Sequence, residues 1–146
     1  MSELLGAHTL SQVNHVPEGF ANNLIWNAAH CYVSLHLLVF ALNDATTEEM
    51  AALGYRAPSR ELVDAYRKGT RPTGPVDEGF VAEVRTWLVD FAWVDELDEA
   101  FLSPGRYRAY DTSWGVRLDS AAEAIAYINM HEGMHLGVML SQRKLV

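Results

Sequence analysis

The most apolar stretch of the chain, Asn23 to Leu42, carries a row of polar residues. Asn23, Asn27, His30 and Ser34 follow one another at steps of four, three and four. Those steps are the helical period, so the spacing predicts a helix over about 23–42, capped by Asn22 or Asn23, with one polar row on an apolar surface. A wholly buried structural helix has no need of such a row. A helix beside a small wet cavity does. Before it, Pro17-Glu-Gly-Phe20 reads as a turn, and residues 1–20 show no clear period.

Downstream, Ser59 can cap a short amphipathic helix to about Lys68, with Leu62, Val63 and Tyr66 on one side. Gly69 ends it, and Thr70-Arg-Pro-Thr-Gly-Pro75 is a stiff loop. From Asp77, the residues Val81, Val84, Leu88, Phe91, Val94 and Leu97 recur at three and four positions, which predicts a second long helix to about Phe101. Ser103-Pro-Gly105 ends it. Residues 106–118 carry aromatics but no helical stripe, and read as an ordered loop with room for a short extended pair. Asp119 or Ser120 opens the last helix, with Glu123 near the capping-box position and Arg143 and Lys144 suited to its C-terminal end. Three long helices and a short one, without a convincing sheet, point to an all-α bundle. No repeat or linker divides the chain, so residues 1–146 are expected to form a single domain.

Composition narrows the function classes. The formal net charge is −8, which repels a phosphate backbone and argues against nucleic acid as a partner. One cysteine, Cys31, rules out an intrachain disulfide framework and a Cys-rich zinc site, and fits a reducing compartment. The N-terminus has no signal-peptide pattern. Five polar side chains (Asn23, Asn27, His30, Ser34 and His36) would make a lone membrane span over 23–42 costly. The expectation is a cytoplasmic protein without a membrane partner.

The candidate chemistry lies in the histidines. His131 and His135 stand one turn apart on the last helix, so both rings can reach one metal ion. They share a stripe with Ala124, Ile128 and Val138, which aims them at the core. The alternative is a pair of hydrogen-bonded core histidines. His131-Glu-Gly-Met-His135 also spells the H-E-x-x-H motif of zinc proteases. That reading fails, because no His, Asp or Glu follows His135 to serve as third ligand, and Val138 stands where the metzincin extension needs a glycine. If the 23–42 helix packs beside the last one, His30 completes a three-histidine site with an open fourth position. His36, six residues on, lies about 240° round the helix and cannot join it. His8 and His15 are expected to be exposed, and Cys31 to be a buried inert thiol. Asn27, one turn before His30, can orient a ligand or bound water, with capping and backbone satisfaction as the alternative. Glu132 can serve as a general base or merely face solvent, being offset by about 100° from His131. Tyr127, one turn before His131, reads as core packing, with pocket lining as the alternative.

Four blocks then resemble the DinB-like family: Asn22-Asn-Leu-Ile-Trp-Asn-Ala-Ala-His30, Tyr66-Arg-Lys-Gly-Thr-Arg-Pro-Thr-Gly-Pro75, Thr112-Ser-Trp-Gly-Val116 and His131-Glu-Gly-Met-His-Leu-Gly137. The resemblance implies a four-helix bundle holding a divalent metal (zinc, nickel or iron) through His30, His131 and His135. It also implies a homodimer, and a transferase or isomerase acting on small molecules with a low-molecular-weight thiol. The alternative is a non-catalytic metal- or ligand-binding bundle linked to stress. The family bundle begins with a full first helix. Here only about a dozen residues precede the Pro17 turn, so a shortened first helix is expected, with an apolar groove to be covered.

Three further features stay open at this level. Asp95-Glu-Leu-Asp-Glu99 is an acidic run that reads as a solvated face, with an acidic patch for a partner as the alternative. Tyr107, Tyr110 and Trp114 can form a lid or rim over the site or plug the bundle end. Arg106, Arg108 and Arg117 in the same loop can meet an anionic substrate or serve solubility alone.

Overall fold

The computed structural model describes all 146 residues. Asn23 caps helix α3 (Leu24–Leu35) by accepting from the Trp26 amide at 2.9 Å. The helix continues as a π-helical segment, His36–Ala41. Ser120 caps α8 (Ala121–Gln142), accepting from the Glu123 amide at 3.2 Å. The Glu123 carboxylate returns to the Asp119 amide at 2.6 Å. These two helices pack side by side along most of their length and form the spine of an all-α molecule. The 24–41 stretch is long and apolar enough to cross a membrane, but most of it is buried within the protein.

Shorter elements surround the spine. Two short helices, α1 (Ser2–Gly6) and α2 (Leu10–Asn14), form the N-terminal part, in keeping with a shortened first helix. Leu4, Leu5 and Val13 are buried with Leu24, Ile25, Ala28, Ala29, Val84 and Met139, so this half of the core is covered. Asn14 locks the arrangement: its Nδ2 donates to the Val76 carbonyl, its Oδ1 accepts from the Val76 amide, and its own carbonyl accepts from Asn23 Nδ2. Helix α4 (Thr47–Ala52) was not expected, although Thr46 and Glu49 form a capping box around its start. Helix α5 (Arg60–Tyr66) is capped by Ser59 and ends two residues before the expected Lys68. It packs on α3.

The helix expected over 77–101 is broken. Helix α6 runs only Glu78–Trp87, capped by Asp77. A 3-10 turn (Ala92–Glu96) and helix α7 (Glu99–Leu102), capped by Asp98, follow. The break lets Trp93 turn inward. Its Nε1 donates to the Asp90 carbonyl at 3.1 Å, and its ring meets the edges of Phe40 and Tyr55 at 5.1 and 5.6 Å. Phe91, which a continuous helix would have put in the stripe, is 42% exposed, whereas Trp93 is 4% exposed. Burying the larger ring in the aromatic cluster outweighs the helical period. His36 stacks in the same cluster, 6.0 Å from Tyr55, and is not part of the His30, His131 and His135 group.

The segment 103–119 closes one end of the spine. Arg106 reaches back to Glu49 with two guanidinium nitrogens (2.7 and 2.9 Å) and to the Asn43 carbonyl (2.9 Å). The Tyr107 hydroxyl donates to the Leu38 carbonyl at 2.9 Å. Strands β1 (Tyr110–Asp111) and β2 (Arg117–Leu118) then pair antiparallel, Tyr110 opposite Leu118. Gly115 makes their turn with φ of +74°, a conformation that L side chains rarely adopt.

The broken-helix arrangement predicts unequal costs for two neighbouring aromatics. Trp93→Ala should lose about 3–5 kcal/mol in denaturant unfolding. Phe91→Ala should stay within about 0.5 kcal/mol. A larger loss at Phe91 than at Trp93 would restore the continuous helix.

Candidate metal centre

The polar row of α3 and the histidine pair of α8 face each other across the spine. His30, His131 and His135 each offer one ring nitrogen, and these three atoms lie within 4.8 Å of one another. Ring centroids are 5.3 Å apart for His30 and His131, 4.9 Å for His30 and His135, and 4.6 Å for His131 and His135. The three rings are close enough together to hold a metal ion.

Hydrogen bonds behind the rings fix two tautomers. His30 Nδ1 sits 2.7 Å from the Tyr66 carbonyl. A carbonyl only accepts, so Nδ1 carries the proton and Nε2 keeps its lone pair. At His135, Nδ1 sits 2.8 Å from Asn27 Oδ1. The Asn27 amide is itself oriented: Nδ2 donates to the Asn23 carbonyl at 2.8 Å and to Gln142 Oε1 at 3.2 Å. Gln142 in turn donates from Nε2 to the Asn22 carbonyl at 2.6 Å. The relay leaves Asn27 Oδ1 to accept from His135 Nδ1–H, so His135 Nε2 is also free to ligate. His131 Nδ1 is buried and has no hydrogen-bond partner. An orphaned ring nitrogen beside the unprotonated Nε2 atoms of His30, which Ser34 Oγ approaches at 3.3 Å, and of His135 is what a bound cation would satisfy.

Burial keeps the three rings neutral. It lowers the pKa of His30, partly offset by the Tyr66 carbonyl. It lowers His131 to about 4, with His30 adding to the effect. It lowers His135 to about 3, with His131 and His30 adding to the effect. Uncharged imidazoles are the ligating form. Trp26 stacks flat on His30 at 4.7 Å and 11°, walling one side of the site.

The remaining side opens into a cavity of about 510 Å³. Leu37, Leu38, Ala41, Leu42 and Met134 supply much of its wall, with Tyr110 and Trp114 from the 108–116 segment. Ser34 also lines it and places Oγ 3.3 Å from His30 Nε2. Tyr127 lines the cavity too, its ring 6.2 Å from that of His131, where core packing was the favoured expectation.

Of the expected site residues, the structure brings His30, His131, His135 and Asn27 together. It does not bring Glu132. That carboxyl is absent from the cavity wall, is half-buried, and lies close enough to Cys31 to raise the thiol's pKa. The one-residue offset from His131 turns it to another face of α8. Cys31 is fully buried with its pKa raised, an inert thiol as expected. His15 is exposed, whereas His8 is half-buried and bonds the Leu4 carbonyl. Three contributors escaped the sequence reading: the Tyr66 carbonyl, Gln142 and the Trp26 stack. Only Gln142 left a trace there, as a polar residue seven positions after His135, two turns along the same face.

A family model described as the DinB superfamily matches residues 1–139, and the chain belongs to that superfamily. No curated protein and no solved structure matches it.

The relay predicts that Asn27→Ala weakens zinc binding by about 10–100-fold, read by competition with a chelating dye, with helix content unchanged by circular dichroism. Unaltered affinity would show that Asn27 does not position His135.

Proposed function

We propose that this DinB superfamily member is a divalent-metal-dependent enzyme acting on a small molecule, by thiol-dependent transfer or isomerisation. One observation carries the reading: the three converging imidazoles face a substrate-sized cavity. A closed site with four protein ligands would have argued for a structural ion.

A bound divalent ion would supply a Lewis-acid position that lowers the pKa of water or a thiol toward neutrality. The chain's own residues do the rest. The Tyr66 carbonyl and Asn27 hold His30 and His135 in the ligating tautomer. Trp26 and the leucines of the π-helical segment exclude water from one flank. Ser34 Oγ and Tyr127 are hydroxyl-bearing groups on the cavity wall, available to bond a substrate. Zinc, nickel and iron all suit imidazole ligands.

One observation favours a second reading, a binding protein without turnover. No aspartate or glutamate lines the cavity, so a carboxylate acid–base partner is missing.

Elemental analysis tests the site itself. Protein purified without chelator should carry about one equivalent of transition metal, and His30→Ala should lose as much of it as His135→Ala. Full retention in His30→Ala would break the three-histidine arrangement. Metal bound in the wild type, without conversion of any thiol substrate, would favour the binding protein.

A further inference from the structure

We propose that the cavity beside the histidines takes a small organic anion with an apolar body, its carboxylate matched by Lys68 and Arg108. The proposal rests on reading this cavity as the substrate site.

The chain is acidic, with 19 Asp and Glu against 11 Lys and Arg, yet no acidic residue lines the cavity and two basic ones do. Neither Lys68 nor Arg108 forms an ion pair. The neighbouring basic residues do: Arg67 meets Asp64, Arg106 meets Glu49, and Arg117 meets Asp111 and Asp119. Of the three arginines in the 106–117 segment, two are therefore spent on internal contacts, and Arg108 is the one left facing the cavity.

Arg108 is held at the cavity by its backbone rather than by its charged end. The Arg108 amide donates to the Leu42 carbonyl at 2.7 Å, which ties its main chain to the end of the π-helical segment. Lys68 lies two residues beyond Tyr66, whose carbonyl holds His30. Both side chains are exposed and form no ion pair, so they are free to turn toward a ligand. Leu42 lies beyond the π-helical segment, at the far end of the same helical stretch that carries His30. The wall between them is supplied by Leu37, Leu38 and Ala41. A ligand reaching along it presents a hydrocarbon or aryl body to that wall. In a net-negative protein, an acid-free cavity with unpaired cations concentrates anions and repels ammonium compounds.

Zinc-loaded protein should be titrated with octanoate, octanamide and octylammonium, following Trp26 and Trp114 fluorescence. Octanoate should bind about tenfold or more tightly than octanamide, and octylammonium weakest. Lys68→Gln/Arg108→Gln should remove most of that preference and leave octanamide binding unchanged. Arg143→Gln, at a cation outside the cavity, should change nothing. Equal binding of the three probes, or no saturable binding by any, overturns the proposal. The same titration in His131→Ala/His135→Ala separates it from the metal reading. Charge preference that persists there and still depends on Lys68 and Arg108 supports the anion site whether or not the wild type holds metal. Preference that vanishes with the histidines and ignores the Lys68/Arg108 variants makes the anion a metal ligand and overturns it.

Discussion

Three backbone carbonyls, those of Tyr66, Asn22 and Asn23, determine which way two of the site's rings present their lone pairs. The first accepts from His30 directly. The second accepts from Gln142 and the third from Asn27 itself, and together they orient Asn27, which orients His135. Main-chain carbonyls cannot reverse their role, so each relay has one sense only. Without them, three neutral rings buried between α3 and α8 would be costly polar groups without direction. With them, His30 and His135 each present Nε2, within 4.8 Å of a ring nitrogen of His131.

The surrounding fold is largely what keeps these carbonyls in place. Helix α5 packs on α3 and ends at Tyr66, the residue whose carbonyl meets His30. Asn23 caps α3 and also donates to the Asn14 carbonyl, so the two short N-terminal helices brace the start of the polar row. At the other end, the π-helical segment carries leucines into the cavity wall, and π-helical turns often occur where a helix borders a functional site. The Arg106–Glu49 pair and the Tyr107–Leu38 bond hold the 103–108 segment against that end and so place Arg108, Tyr110 and Trp114 at the cavity.

Much of this was legible in the sequence because it is local. The steps from Asn23 to Ser34 and from His131 to His135 are helical periods, and each placed its residues on one face without knowledge of the partner helix. Caps at Asn23, Ser59, Asp77 and Ser120 were legible for the same reason. The break after Trp87 was not, because it depends on the distant rings of Phe40 and Tyr55, which draw Trp93 inward. Nor could the H-E-x-x-H motif show where Glu132 points, since the motif specifies spacing and not which helix lies opposite. The Tyr66 carbonyl is invisible in principle: every residue has one, and only the packing of α5 against α3 selects it.

The most direct test of the central claim is X-ray absorption spectroscopy of the zinc-loaded protein. The account predicts about three imidazole nitrogens at roughly 2.0–2.1 Å and one exchangeable oxygen ligand that an added thiol replaces with sulfur. A shell of two imidazoles, or a closed shell of protein ligands that no thiol enters, would contradict a three-histidine site open to the cavity.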